Sequence, residues 1–251
     1  MVFRSGTQGD VKPYALEVGP PVIACLIDKA QSEWHLGEIG SCQASMSEAI
    51  ALAKKLNNLH GIAQALYYAA CLSHYGRNPA EVERLASDVI ELSTRQNFAH
   101  YLSRGNILRG WARSASVDAV EGISWIEDGM QDWRATGATL TVPFFLALKA
   151  EALHLADRTS EALEAIREAE ALIERSEERW WCAELHRLRG LFLAALGADE
   201  TQIEVSFCTA IRIAQQQKSV SPAKRAEVSY AEYRRQKATG SGGRGFRLPL
   251  L

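Results

Sequence analysis

Between Pro21 and Val220 the apolar and small side chains fall on helical stripes, and the whole pattern returns every 40 residues. One column of small residues reads Ala30, Ala70, Gly110, Ala150 and Gly190; a second reads Ala49, Val89, Gly129, Ala169 and, one residue late, Ala210. Twelve and sixteen residues beyond the first column stand Cys42 and Met46, Val82 and Ala86, Gly122 and Ile126, and Ala162 and Ile166. That spacing keeps each pair on one helix face. No long segment alternates apolar and polar residues as a half-buried strand does, so the pattern predicts an all-α chain. Small residues at a fixed step mark places where two helices approach closely. A two-helix unit cannot bury its own stripe, so neighbours must stack, and the expected architecture is an α-solenoid.

The period divides the chain into units 21–60, 61–100, 101–140, 141–180 and 181–220, preceded by an irregular segment 1–20. First helices are predicted over 21–36, 60–75, 98–115, 141–156 and 179–196, with second helices between them. Gly37, Gly76 and Gly197 are placed to close helices. Asn78-Pro79-Ala80-Glu81 opens one with a cap, a proline in the first turn and a carboxylate to answer the cap. Thr159-Ser160-Glu161 and Ser221-Pro222 read as similar starts, and Pro143 sits in a first turn. A half-unit over 221–239 is expected to be a capping helix, its outer face made polar by Lys224, Arg225, Glu232, Arg234 and Arg235. Gly240 to Gly243 then break helicity ahead of a flexible basic tail, 240–251.

Composition narrows the setting. A chain of 251 residues that is 47% hydrophobic has ample material for a core. Its five cysteines are odd in number and form no C-x-x-C pair, which reads as buried thiols in a reducing, cytoplasmic compartment. No run is long and apolar enough to predict a membrane span. The net charge of −2 hides an asymmetry: 221–251 carries seven Lys or Arg against two Glu, or +5, leaving −7 on the rest. The basic tail is read as solvated, and no nucleic-acid partner is expected.

Offsets of 12, 16 and 19 residues from the first small column resemble the signature of the tetratricopeptide repeat, best matched by Ala150, Ala162, Ile166 and Ala169. The resemblance implies a right-handed α-solenoid of about five helical hairpins. The chain departs from it in step, 40 residues against the usual 34, and in carrying Lys54, Thr94 and Arg134 where a closing proline would stand. Longer helices and a different pitch follow. Three further stretches, Asn106 to Arg113, Asp132 to Gly137 and Glu178 to Gly190, resemble the C-terminal helical arm of large bacterial proteins that begin with a class III adenylate/guanylate cyclase domain followed by a P-loop signal-transducing ATPase. That likeness implies a regulatory or interaction module, with the cyclase and ATPase domains as partners in cis or in trans. No catalytic residue carries over. The chain has no G-x-x-x-x-G-K-[ST] phosphate cradle and nothing resembling a cyclase metal site, so no cofactor and no enzymatic activity are expected.

The repeat resemblance also implies which side chains line a concave groove: Gln31, Trp34 and His35; Tyr67, Cys71, His74 and Tyr75; Arg104, Ile107 and Trp111; Phe144, Glu151 and His154; Glu184 and Arg187. Trp34, Tyr67, His74, Arg104, Trp111, Glu151, His154 and Arg187 form the candidate site for a protein or peptide partner, with Trp111 as its anchor. A small effector held in the same groove is the alternative. An enzyme is the third reading, either adenylate cyclase activity inherited from longer relatives or a hydrolase; for the latter, Glu151 and Glu184, one repeat apart, are expected to lie too far apart to act as a carboxylate pair. The six histidines include no pair three or four residues apart, so no helical metal site is predicted. Trp180 and Trp181 are assigned to core packing, and Trp125 and Trp133 to filling space beside Gly122 and Gly129.

Overall fold

The computed structural model describes residues 20–239, and these contain eleven α-helices and no strand. The expectations for 1–19 and 240–251 lie outside the described residues. In chain order the helices are α1 Pro21–His35, α2 Ile39–Lys55, α3 Leu59–Tyr75, α4 Pro79–Gln96, α5 Ala99–Ser116, α6 Ala119–Ala135, α7 Val142–Leu155, α8 Thr159–Ser176, α9 Cys182–Ala195, α10 Glu200–Gln216 and α11 Val220–Ala238. Each packs on the next, and each odd-numbered helix also touches the following odd-numbered one, whereas neighbouring even-numbered helices do not meet. The arrangement is compatible with a helical solenoid, its odd helices on the inside. None of the described helices is long and apolar enough to cross a membrane.

Helix ends keep the 40-residue step. A residue in the left-handed conformation follows the inner helices at Gly37, Arg77, Asp157 and Gly197. Another follows the outer helices at Asn57, Asn97, Gly137, Glu177 and Lys218. Such a residue turns the chain sharply and lets the last carbonyls find N–H partners. Gly76, expected to close α3, keeps φ at −78°, and the turn falls one residue later on Arg77, φ +57°. At the N-termini, Asn58, Asn78, Asp118 and Asp199 accept hydrogen bonds from first-turn N–H groups. The Glu81 carboxylate binds Arg84 instead of answering the Asn78 cap.

Both small-residue columns are buried, and the reason differs from place to place. A Cβ on Gly110 would lie 2.6 Å from the Gly122 carbonyl oxygen, and one on Gly129 would lie 2.9 Å from that of Ser103. Backbone therefore meets backbone where α5 crosses α6. This corrects the expectation that tryptophans fill the space beside these glycines: Trp133 is buried elsewhere, against His100 and Phe145. Trp125 is half-buried under the guanidinium of Arg109, 4.7 Å from its ring centre. A further correction concerns the thiols. Cys42 and Cys71 are buried, but Cys25 and Cys208 are exposed.

The ends of the array meet. Helix α11 packs on α9 and α10 as a terminal half-unit would, and it also touches α1. The Ser221 hydroxyl donates to the Trp34 carbonyl at 2.6 Å, His35 Nδ1 lies 2.5 Å from the Ser219 hydroxyl, and Val220 covers Gly37. Arg225, expected on the outer face of the cap, turns inward with 19% of its side chain exposed.

Candidate functional site

With α11 against α1, the inner helices point their side chains at one another rather than at an open groove. Every candidate site residue but one is buried: Trp34, Tyr67, His74, Arg104, Trp111, Glu151 and Arg187. His154, half-buried, is the exception; its Nδ1 meets the Thr159 hydroxyl at 2.9 Å and its ring rests on Phe192. The expectation of an open groove with Trp111 as a contact anchor is thus corrected. Trp111 has no exposed surface, and its indole N–H donates to Glu151 at 2.9 Å.

Around Trp111 the interior splits into an aromatic half and a charged half. Trp34 packs on Tyr75 with centroids 4.6 Å apart, Tyr75 on Trp181 at 5.0 Å, and Trp181 on Phe144 at 5.1 Å. These rings come from α1, α3, the turn before α9, and α7, so they tie units that are distant in sequence. Helix α9 starts at Cys182, three residues later than its pattern suggests, because Glu178 holds this turn: its carboxylate accepts from the Thr141 N–H and from Trp180 Nε1.

The charged half is a chain of bonds across the array. Arg77, swung in by its left-handed backbone, donates to Glu151 at 2.5 Å and to Glu184 at 3.1 Å. Glu184 also accepts two bonds from Arg187, at 3.0 and 2.6 Å, and one from Arg225 at 2.9 Å. One guanidinium therefore bridges the two carboxylates that were expected to lie too far apart to act as a pair. Burial alone would raise the pKa of Glu184, but Arg187, Arg225 and Arg77 overcome it and hold the carboxyl down to about 2. Glu151 is likewise held well below the usual carboxylate range, its burial outweighed by Arg77 and His74. Three arginines face two carboxylates, a surplus of one positive charge. Burial, reinforced by Arg77 and Arg187, accordingly pulls Arg225 down to about 9 in spite of Glu184. His74 is 1% exposed, edge-on to Trp111 at 4.4 Å. Its Nε2 lies 3.6 Å from Glu151, longer than a hydrogen bond. Burial lowers its pKa to about 4, so at neutral pH the imidazole carries no charge and the contact is no ion pair.

Sequence reasoning missed Arg77 and Arg225. Arg77 stands in a connection, where the repeat pattern assigns no inward position, and Arg225 was given to the polar face of a free end. An open recess of about 500 Å³ among the described residues lies between α2 and α4, lined by Leu72 and Trp34 and edged by Glu81 and Arg84.

No family profile matches the chain. It is 25% identical over 203 residues to an uncharacterized protein of Rhizobium meliloti (strain 1021), an alignment that covers 81% of this chain and 20% of that protein. The chain spans about a fifth of the length of the curated relative it matches.

Proposed function

We propose that the chain is a right-handed, tetratricopeptide-like α-solenoid acting as a non-catalytic interaction and regulatory module of a bacterial signalling system, the arm of an adenylate cyclase-like protein. The observation that carries this reading is the state of the interior carboxylates. A general acid needs a raised pKa and an open path to substrate, whereas Glu151 and Glu184 are buried, ionised and saturated by arginine. They hold units together and leave no acid–base pair for hydrolysis. The much longer relative, of which the chain matches a fifth, agrees with a module working beside other domains.

The reading is tested in trans. Purified chain should form no cyclic nucleotide from ATP or GTP, yet should bind a cyclase–ATPase protein truncated before its helical arm and change its cyclic-nucleotide output. Magnesium-dependent turnover by the chain alone, or failure to bind or influence any such protein, would refute it. A second reading, an effector-binding arm, is favoured by one observation: the buried guanidinium of Arg104, packed on Tyr67 and Trp133, has no carboxylate partner among the described residues.

A further inference from the structure

The recess between α2 and α4 lies where the pattern of the other units is broken. At the 40-residue step from Ala69 on α3 stand Arg109, Lys149 and Arg189, on α5, α7 and α9. Each of these cations pairs with a glutamate on the preceding outer helix: Arg109 with Glu83 at 2.9 Å, Lys149 with Glu127 at 2.7 Å and Arg189 with Glu170 at 3.2 Å. Whole steps before those glutamates stand Gln43, Ser47 and Ile50, all on α2. Ala69 and these three residues line the recess. Both halves of the ion pair are thus replaced by uncharged side chains here, and Leu85 takes the place of Trp125, the ring on which Arg109 rests. The result is a hollow of about 500 Å³, within the range of small-ligand sites. Trp34 lines it and is 5% exposed; its indole N–H meets no acceptor among the described residues and, unlike those of Trp133 and Trp181, is not sealed from water. Arg84, the cation at the edge, is held by Glu81 and Asp88. An ionised ligand would therefore lose its hydration without gaining a free counter-charge. An apolar body gains by burial, and a carbonyl oxygen supplies the acceptor that the indole N–H lacks.

We propose that the recess between α2 and α4 binds a small, uncharged, mainly apolar molecule bearing a carbonyl group, its apolar body over Leu72 and Ile50 and its oxygen on the Trp34 N–H. The proposal deepens the effector reading and rests on it, but makes no use of Arg104, which lines no part of the recess.

The test titrates the full chain with two fluorescent probes, the dimethylamino-naphthyl ketone Prodan and its sulfonate counterpart, in which an anionic group replaces the ketone. Prodan should bind saturably at one site with blue-shifted emission, and at least about tenfold more tightly than the sulfonate. Variants locate the site. Ser47→Trp sets a ring in the mouth of the recess from an exposed position. Ala69→Arg combined with Gln43→Glu rebuilds the ion pair that Arg109 and Glu83 make one unit later. Both should melt as wild type does, and each should weaken Prodan binding at least about tenfold. Trp34→Phe keeps a ring against Tyr75 and removes the N–H, for a loss of about two- to tenfold; the other two variants carry the comparison should this one fail to fold. Absence of saturable Prodan binding, undiminished binding in the Ser47 and Ala69 variants, or equal affinity for the sulfonate overturns the proposal, and undiminished binding in Trp34→Phe overturns its carbonyl contact. Self-association of the wild type that Ser47→Trp abolishes gives the recess to a second copy and overturns it as well. Each of these failures leaves the effector reading standing, because that reading rests on Arg104.

Discussion

Acidification below about pH 6.5 should destabilise this protein through His74. The imidazole is enclosed by Trp111, Phe144 and Tyr75, with Glu151, Arg77 and Arg225 as the charged groups facing it. Burial dominates and Glu151 offsets only part of it, so the folded state binds this proton only near pH 4. An unfolded histidine binds it near pH 6.5. Below 6.5 the unfolded chain therefore holds more protons, and stability falls with pH until the folded value is reached. The loss attributable to this one group is about 2 kcal/mol by pH 5 and about 3 kcal/mol by pH 4. Urea unfolding monitored by tryptophan fluorescence at half-unit steps from pH 7.5 to 4.5 measures it, in wild type and in His74→Phe. Among the described residues the ring nitrogens have no partner within hydrogen-bond distance, Glu151 standing 3.6 Å away. Phenylalanine thus removes the titration at the cost of some overpacking, which shifts the curve without tilting it. His35, His100 and His186 are also lowered by burial, but their slope is common to both proteins and cancels in the difference. Parallel pH curves for the two proteins would refute the account of a buried neutral imidazole.

The charge surplus predicts an asymmetry between its members. Glu184→Gln leaves one buried and two half-buried guanidinium groups facing one carboxylate and should cost about 3–5 kcal/mol, whereas Arg225→Met removes the surplus and should cost under about 1 kcal/mol; equal losses in urea unfolding would show that the surplus is not felt. Gly122→Ala places a methyl group against the Gly110 carbonyl and the Ser114 backbone, forcing α5 from α6. A loss of about 1–3 kcal/mol is expected, and a melting temperature unchanged from wild type would mean that the crossing is looser than described. Ser221→Ala removes the bond to the Trp34 carbonyl and should cost about 1 kcal/mol, with faster amide exchange in both α1 and α11; acceleration in α11 alone would mean that the two ends do not support each other.

The helices were legible because they are written in local chemistry. Column residues such as Ala70, Ala150 and Ala169 are fully buried where the 40-residue step puts them, and Pro79 and Asn78 sit where their backbone preferences demand. The interior was half legible. The step brings Trp34, His74, Trp111, Glu151 and Arg187 toward one place, but it does not say how tightly the array curves. Curvature depends on backbone approach at single crossings, as at Gly110 and Gly122, and on turns such as Arg77 that carry no periodic signal. An array curved gently enough to leave an opening would make these side chains a lining; curved until its ends touch, it makes them a core. Arg225 changes its meaning for the same reason: on an open array it would face water, and on a closed one it faces Glu184.

Closure also alters what the terminal units cost. In an open solenoid each unit is supported only by its neighbours, so the ends fray first and the array loses stability unit by unit. Here Trp34 of the first unit packs on Tyr75, which packs on Trp181, while α11 bonds to the Trp34 carbonyl. Arg77 reaches past α5 to α7 and α9. Contacts of this kind skip units, so separating α1 from α11 also opens the aromatic half of the interior and brings water to buried charges whose pairing depends on its exclusion. The penalty for losing an end is therefore shared with the middle. A chain of helices tied in this way is expected, on this basis, to unfold as one cooperative block rather than by fraying from its ends.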